Sequence, residues 1–286
     1  MVYFRLFGNL GNLLFQYATA VSLGNGRAVG VTDSPKTLAQ LREYAELFDG
    51  LETVEREPAD AVRVDQYRCD HTVFPDTGGR DLFISGYFQS EQYFDKDLVY
   101  GMFKPSDVRV SRLKEKFGDW LARPGVTGIS VRRGDYLKMA AWHPFVGERY
   151  FFDCFARLPE ARDFVVCSDG MEWCRRFFPK AFPDRRFLFV EGEGVLDQLY
   201  VHTLCANNIV SNSSFSWWGA WLAEQRRRRD GSPGVTLAPS MWLGYAPKNE
   251  GATWDNVYFD GMKVVRNRYT FRLWLAAHWP VFAEKA

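Results

Sequence analysis

Nowhere in this sequence do about 20 apolar residues run together. Its opening residues, VYFRLFGNLGNLLF, interrupt the apolar positions with glycines and Arg5. Neither a membrane span nor a secretion signal with a basic region before an apolar stretch is therefore expected. An excess of one charge is also lacking. Lys and Arg number 36 against 35 Asp and Glu in 286 residues, so no global field draws the chain to nucleic acid or anionic lipid, and a bound anion must be held by local charge. The basic run Arg226–Arg229 precedes Asp230-Gly231 and reads as a solvated helix terminus complementing the dipole. Cysteine pairs at redox or metal spacing are missing as well. Cys69, Cys154, Cys167, Cys174 and Cys205 form no CxxC and have no histidine at ligand spacing, the pattern of reduced core thiols in a cytoplasmic protein. Repeats and low-complexity segments are absent too.

What remains is a chain 47% hydrophobic, long enough for one large domain or two smaller ones. Its second half carries short β-rich runs at 126–131, 163–167, 186–190, 208–211 and 234–238, with helical spacing between them. Phe151, Phe152, Phe155 and Leu158 form one stripe; Leu196, Leu199, Tyr200, Thr203 and Leu204 form another. Strand–helix alternation implies a parallel sheet with right-handed crossovers. The first half offers a strand at 2–7, a glycine turn, a helix bearing Leu14, Tyr17, Ala18 and Val21, a helix near 36–48, a strand near 81–85 and a helix near 108–121. Arg123-Pro124-Gly125 breaks the last of these. The reading is an α/β protein with two Rossmann-like halves, 1–123 and 124–286, facing across a cleft. Whether the C-terminal segment returns to the first half is left open.

Ligands of open parallel sheets bind beyond the carboxyl ends of the strands, so the residues after each strand test function. After Val131 stand Arg132-Arg133-Gly134-Asp135; after Cys167, Ser168-Asp169; after Val190, Glu191-Gly-Glu-Gly with Asp197 opening a helix; after Ser211, Asn212-Ser213-Ser214-Phe215-Ser216 and then WWGAWL. The Asn-Ser-Ser-Phe-Ser segment has two open readings: an N-cap at Ser213 or Ser214, or a diphosphate cradle at a helix N-terminus. Arg132 and Arg133 read as a surface pair or as phosphate ligands, with Asp135 near enough to hold one in place. Gly8-Asn9-Leu10-Gly11-Asn12 is a tight turn that lacks GxGxxG spacing. Aromatic residues make up 16% of the chain. Most are core, although sugar sites also use aromatic faces.

Taken together these segments resemble the α-1,2-fucosyltransferases of glycosyltransferase family eleven, and more distantly the α-1,6 and protein O-fucosyltransferases. GNLGNLLFQYA is similar to the family's GGLGNQLFQYA, SGYFQSEQYF to GYFQSEKYF, SVRRGDY to HxRRGDY, VCSDGMEWC to FSDDIEWC, and VSNSSFSWWGAWL to ANSSFSWWGAW. The matches run in order from Gly8 to about Trp242, while residues 27–80 and the C-terminal 40 or so match little. The resemblance implies a GT-B architecture, with an acceptor-side domain over 1–123 and a nucleotide-sugar-binding domain over 124–286, and an inverting transfer of L-fucose from GDP-fucose to a glycan hydroxyl, with α-1,2 linkage to galactose. It also implies that no metal or other cofactor is needed. By position, Arg132 would bind the diphosphate with Asp135 as the matched catalytic carboxylate. Ser130, Arg133, Ser213, Ser214, Phe215 and Ser216 would surround the phosphates, Asp197 would contact guanine, and Gly11 and Asn12 would line the donor from the first half.

Three departures stand out: Asn9 replaces a glycine, Leu13 a glutamine, and Ser130 the histidine of HxRRGD. They keep open two rivals, a transferase using another nucleotide sugar and a non-catalytic nucleotide-sugar or glycan-binding protein. Charge building on the leaving diphosphate needs a metal or fixed cations and dipoles. Asp95-Lys96-Asp97 spells the DxD of metal-using transferases but lies outside the Rossmann half and reads as a solvated face, leaving the work to Arg132 and the helix start at Ser214. Asp135, His143 and Glu148 are the candidates for a base.

Overall fold

The computed structural model describes residues 1–67, 72–140, 142–244 and 254–267. It contains two compact units. The first comprises Met1–Lys104 and the described part of Gly251–Phe259; the second comprises the described parts of Pro105–Glu250 and Asp260–Ala286. Cys69 lies outside the described residues.

In the first unit the order is β1 (Val2–Arg5), α1 (Leu10–Leu23), β2 (Val29–Val31), α2 (Pro35–Glu43), β3 (Glu52–Val54), β4 (Val62–Gln66), β5 (Leu82–Gly86) and α3 (Lys96–Phe103). The strands form one parallel sheet in the order β3-β2-β1-β5-β4. The stripe Leu14, Tyr17, Ala18 and Val21 of α1 is buried as its spacing requires. Ser34 starts α2 by accepting the Thr37 N–H, with Pro35 in the first turn. Asp95 starts α3 by accepting the N–H groups of Asp97 and Leu98, both at 2.9 Å. The DxD triplet is thus a helix cap as well as a surface feature.

The second unit runs α4 (Asp107–Leu121), β6 (Thr127–Val131), α5 (Glu148–Ala156), β7 (Asp163–Ser168), α6 (Met171–Ala181), β8 (Arg186–Phe189), α7 (Val195–Leu204), β9 (Asn207–Ile209), α8 (Ser214–Asp230), β10 (Thr236–Pro239) and β11 (Met262–Val265). Its sheet is parallel throughout in the order β11-β10-β9-β6-β7-β8. One face is packed with aromatic rings, among them Phe155 stacked on Phe164 and on Phe182 at 4.4 and 3.8 Å. Trp217, Trp218 and Trp221 of α8 are fully buried.

Two expectations are corrected here. The division falls at Lys104/Pro105 rather than at 123/124, because α4 packs on α7 and is tied to it by charge. Asp197, in the first turn of α7 and 2% exposed, takes Arg109 on one carboxylate oxygen and Arg112 at 3.0 Å on the other. The arginine run is not simply a solvated terminus either. Arg227 is buried and donates to the Ala206 carbonyl (2.9 Å), Glu224 (2.7 Å) and Thr236 (3.2 Å). Arg226 donates to the carbonyls of Thr203 and Cys205. Carbonyls at and just past the end of α7 have no intrahelical donors, and these guanidinium groups supply those of Thr203, Cys205 and Ala206. The chain then leaves α8 at Gly231 with φ 69°, a left-handed cap that glycine adopts without strain.

Cys154, Cys167, Cys174 and Cys205 are buried and unpaired; burial lifts Cys174 to about 11 and Cys205 to about 12, so both remain thiols. No helix among the described residues is long and apolar enough to cross a membrane. His202 is buried on α7, which lowers its pKa to about 4. Its folded pKa lies below the unfolded value of about 6.5, so the unfolded chain takes up the proton first and stability falls as pH drops from about 6.5 towards 4. Urea midpoints should decline over that window, and less steeply in His202→Gln. Asp197→Ala should cost about 2 kcal/mol, because it removes the buried carboxylate on which Arg109 and Arg112 of α4 meet α7; unfolding measurements at pH 7 would show it.

Candidate functional site

From β6 the chain builds β7 and β8 on one side, then crosses back to lay β9, β10 and β11 on the other. Strand order reverses between β6 and β9, and the crevice outside their carboxyl ends is where an open α/β sheet receives its ligand. Arg132–Asp135 leave β6 there and Ser211–Ser216 leave β9.

Serine hydroxyls stitch the two ends together. Ser211 Oγ donates to the Ser130 carbonyl at 2.8 Å and accepts the Arg132 N–H at 3.0 Å. The hydroxyls of Ser130 and Ser216 share a 2.6 Å hydrogen bond, both buried. Ser130 and Ser216, both expected beside the nucleotide, thus meet each other where strand end and helix start touch. Ser213 is the N-cap residue of α8, but its side chain makes no capping bond. The first N–H to find a helical acceptor is that of Trp217, on the Ser213 carbonyl, so the N–H groups of Ser214, Phe215 and Ser216 have no partner within the helix. Ser214 and Phe215 are half-buried.

The two arginines diverge. Arg133 is 8% exposed and lies over the Trp173 ring at 4.3 Å and Phe145 at 5.6 Å; burial lowers its pKa. It packs as a cation on aromatic faces instead of reaching outward with Arg132. Arg132 stays half-exposed between two carboxylates, Asp135 at 2.6 Å and Asp169 at 2.7 Å. Asp169 does more than pair. Its other oxygen accepts the Arg133 N–H at 2.7 Å, so one carboxylate fixes both the loop after β6 and the guanidinium. Gly134 makes this approach feasible, since a Cβ there would lie 2.4 Å from Asp169 Oδ2.

Arg132 also lies 5.3 Å from the Tyr136 ring centroid, and Tyr136 stacks on His143 at 4.8 Å. The Tyr136 hydroxyl donates to the Asn212 carbonyl at 3.1 Å. Burial raises the Tyr136 pKa and lowers that of His143, so His143 is neutral at pH 7. Glu148 is exposed at the start of α5. Asn212 is buried; its amide donates to the Trp242 carbonyl at 3.0 Å, while its Oδ1 has no partner. The carboxylate assigned to guanine, Asp197, is occupied by Arg109 and Arg112. Gly11 and Asn12 belong to the first unit, where Gly11 is buried in α1 and Asn12 accepts from Gln89 at 2.8 Å. Asp169, Ser211 and Tyr136 are contributors to which the sequence assigned no role. The Ser-Asp-Gly after a strand was the available signal for Asp169, whereas nothing local marks the others.

Residues 68–243 match the sequence model of glycosyl transferase family 11. The chain belongs to glycosyl transferase family 11. An alpha-1,2-colitosyltransferase of Escherichia coli is 30% identical over 167 residues, covering 55% of this chain and 55% of that protein. Galactoside alpha-(1,2)-fucosyltransferase 1 of Plecturocebus brunneus is 29% identical over 237 residues, covering 76% of this chain and 63% of the relative. The family 11 chain thus spans between about half and two thirds of the length of these curated relatives. A crystal structure of NodZ alpha-1,6-fucosyltransferase co-crystallized with GDP aligns with a TM-score of 0.49 at 15% identity, over 76% of this chain and 91% of that one.

If Asp169 aims Arg132, Asp169→Asn should lower turnover by on the order of a hundredfold, the scale of a misplaced group, while the thermal midpoint stays near that of the parent. Gly134→Ala should act in the same direction by displacing the same carboxylate. The double variant should lose less than the sum of the two, which a double-mutant cycle measures.

Proposed function

We propose that this family 11 chain transfers L-fucose from GDP-fucose, with inversion, to a hydroxyl of a glycan, forming an α-1,2 linkage to galactose. The observation that carries the reading is the position of Arg132. A half-exposed guanidinium follows β6 and the uncapped start of α8 follows β9, both where strand order reverses. As the bond from the sugar to the diphosphate breaks, negative charge builds on the leaving oxygen. Arg132 and the N–H groups of Ser214 and Phe215 stabilise that charge without reorganising. Asp135 and Asp169 share Arg132, so an incoming diphosphate competes with them, and Asp135, exposed at the rim, yields first. Transfer then needs no resident metal. The acceptor proton passes to Asp135 or to His143, which burial keeps unprotonated. The four buried thiols support a reducing compartment, the cytoplasm.

A second reading, with another donor sugar, draws on two observations. Ser130 is turned to Ser216 in the place of the family's histidine, and one of the relatives above is named for colitose. Transfer assays offering GDP-fucose beside other nucleotide sugars decide between them, and tighter binding of UDP than of GDP would overturn the guanosine assignment. With the preferred donor, Arg132→Ala should reduce kcat by about a hundredfold or more, and Arg132→Lys should restore little because it lacks the bidentate fork. Activity should survive chelation; loss restored by Mg²⁺ or Mn²⁺ would contradict the metal-free reading.

A further inference from the structure

The sheet of the first unit also reverses its order. After β1 the chain lays β2 and β3 to one side, then places β4 and β5 on the other, with β5 against β1. The crevice at the carboxyl ends of β1 and β5 is therefore a ligand position by the same topological rule that marks the β6–β9 site. The residues leaving the strands there are aromatic. Phe7 follows β1, Tyr87 follows β5 and Tyr67 follows β4. Phe7 and Tyr87 lie 5.1 Å apart between ring centroids, Phe7 and Tyr67 6.2 Å, Tyr67 and Tyr87 6.4 Å. Large aromatic side chains usually bury themselves, yet Tyr67 is 55% exposed and Tyr87 37%.

This arrangement is held firmly. The amide of Gln16 accepts the Phe7 N–H and donates to its carbonyl, both at 3.2 Å. The Tyr67 hydroxyl bonds to buried Ser85 at 2.6 Å. The backbones of β4 and β5 meet so closely that a Cβ on Gly86 would lie 1.9 Å from the Gln66 carbonyl oxygen. Tyr87 donates its N–H to that same carbonyl, and Phe88 donates its own to Gln66 Oε1. Phe88 has φ 48°, a strained conformation for a bulky residue that surrounding contacts must enforce. The polar groups bonded to these segments are neutral: the Gln16 and Gln66 amides and the Ser85 hydroxyl. Exposed rings on segments held by neutral amides and hydroxyls suit a neutral ligand that is apolar on one face and hydroxylated at its edge.

We propose that Phe7, Tyr67 and Tyr87 form a saccharide platform that stacks the apolar face of a β-galactoside acceptor. The class of ligand rests on the function proposed above; the site itself rests on the topology and exposure of the rings. Galactose fits because its axial 4-hydroxyl leaves the hydrogens on C3, C4 and C5 together on one face, and glucose, its 4-epimer, lacks that continuous face.

The probe is lactose with the full chain, observed by saturation-transfer NMR, with GDP titrated calorimetrically on the same samples. Saturation should concentrate on H3, H4 and H5 of the galactosyl ring. Tyr87→Ala and Tyr67→Ala should weaken it and raise the lactose Kd about tenfold, the scale of an aromatic contact, whereas Tyr87→Phe should retain it. GDP affinity should be unchanged in every variant, which separates this site from the diphosphate site and reports that the chain is folded. Lactose contact that persists in both alanine variants, or that is absent in the parent, overturns the platform. GDP binding without fucose transfer in the parent overturns the fucosyl reading and leaves the galactoside measurement to stand by itself.

Discussion

The hydroxyl of Ser211 joins the two central strands of the second sheet where they end, accepting the Arg132 N–H while donating to the Ser130 carbonyl. The last backbone bond between the strands runs there from the Ser211 N–H to the Ser130 carbonyl at 3.1 Å, and beyond it the Arg132 N–H would lack a partner. One side chain closes the gap. It thereby sets where Arg132 leaves the sheet relative to the start of α8, and each later feature of the site inherits that spacing. Ser130 and Ser216 meet because strand end and helix start have been drawn together. Asp169 can then reach both the Arg133 N–H and the Arg132 guanidinium from the neighbouring strand.

The charge economy of the site follows from the same layout. With nearly equal numbers of basic and acidic residues, the chain cannot attract an anion by its overall field, and local arrangement does all the selection. Of two consecutive arginines, one is spent on packing against Trp173 and one is presented. The presented guanidinium is shared by two carboxylates of moderate exposure, pairs of the kind worth little in water. They hold its direction without holding it strongly, which suits a cation that must change partners when a diphosphate arrives. The buried carboxylate Asp197 belongs to another task, anchoring α4 to α7.

Much of this was legible in the sequence. The second sheet announced itself because its strands are apolar runs bounded by breakers, and the segments after them carried their polar residues in order. Four strands were less visible: Val29–Val31, Glu52–Val54, Val62–Gln66 and Met262–Val265. They are three to five residues long, β3 is wholly exposed, and so short a segment shows no periodicity. The boundary was placed at Arg123-Pro124 because a helix stops there. The helix before it nevertheless belongs to the second unit, through ion pairs between residues 85 and 88 positions apart.

By itself the sequence determined the alternation of strands and helices, the parallel sheets that follow from it, and the set of residues delivered to their carboxyl edges. Connectivity and local pattern suffice for these, because a strand followed by a helix returns parallel and its next residues emerge at one end. Only the tertiary structure decided what those residues do there. It turned Arg133 inward and Arg132 outward, paired Ser130 with Ser216, enlisted Asp169 and occupied Asp197. Each of those outcomes depends on which side chain from a distant segment arrives within about 3 Å, the range in which a hydrogen bond or ion pair forms. Spacing along the chain carries no record of that distance.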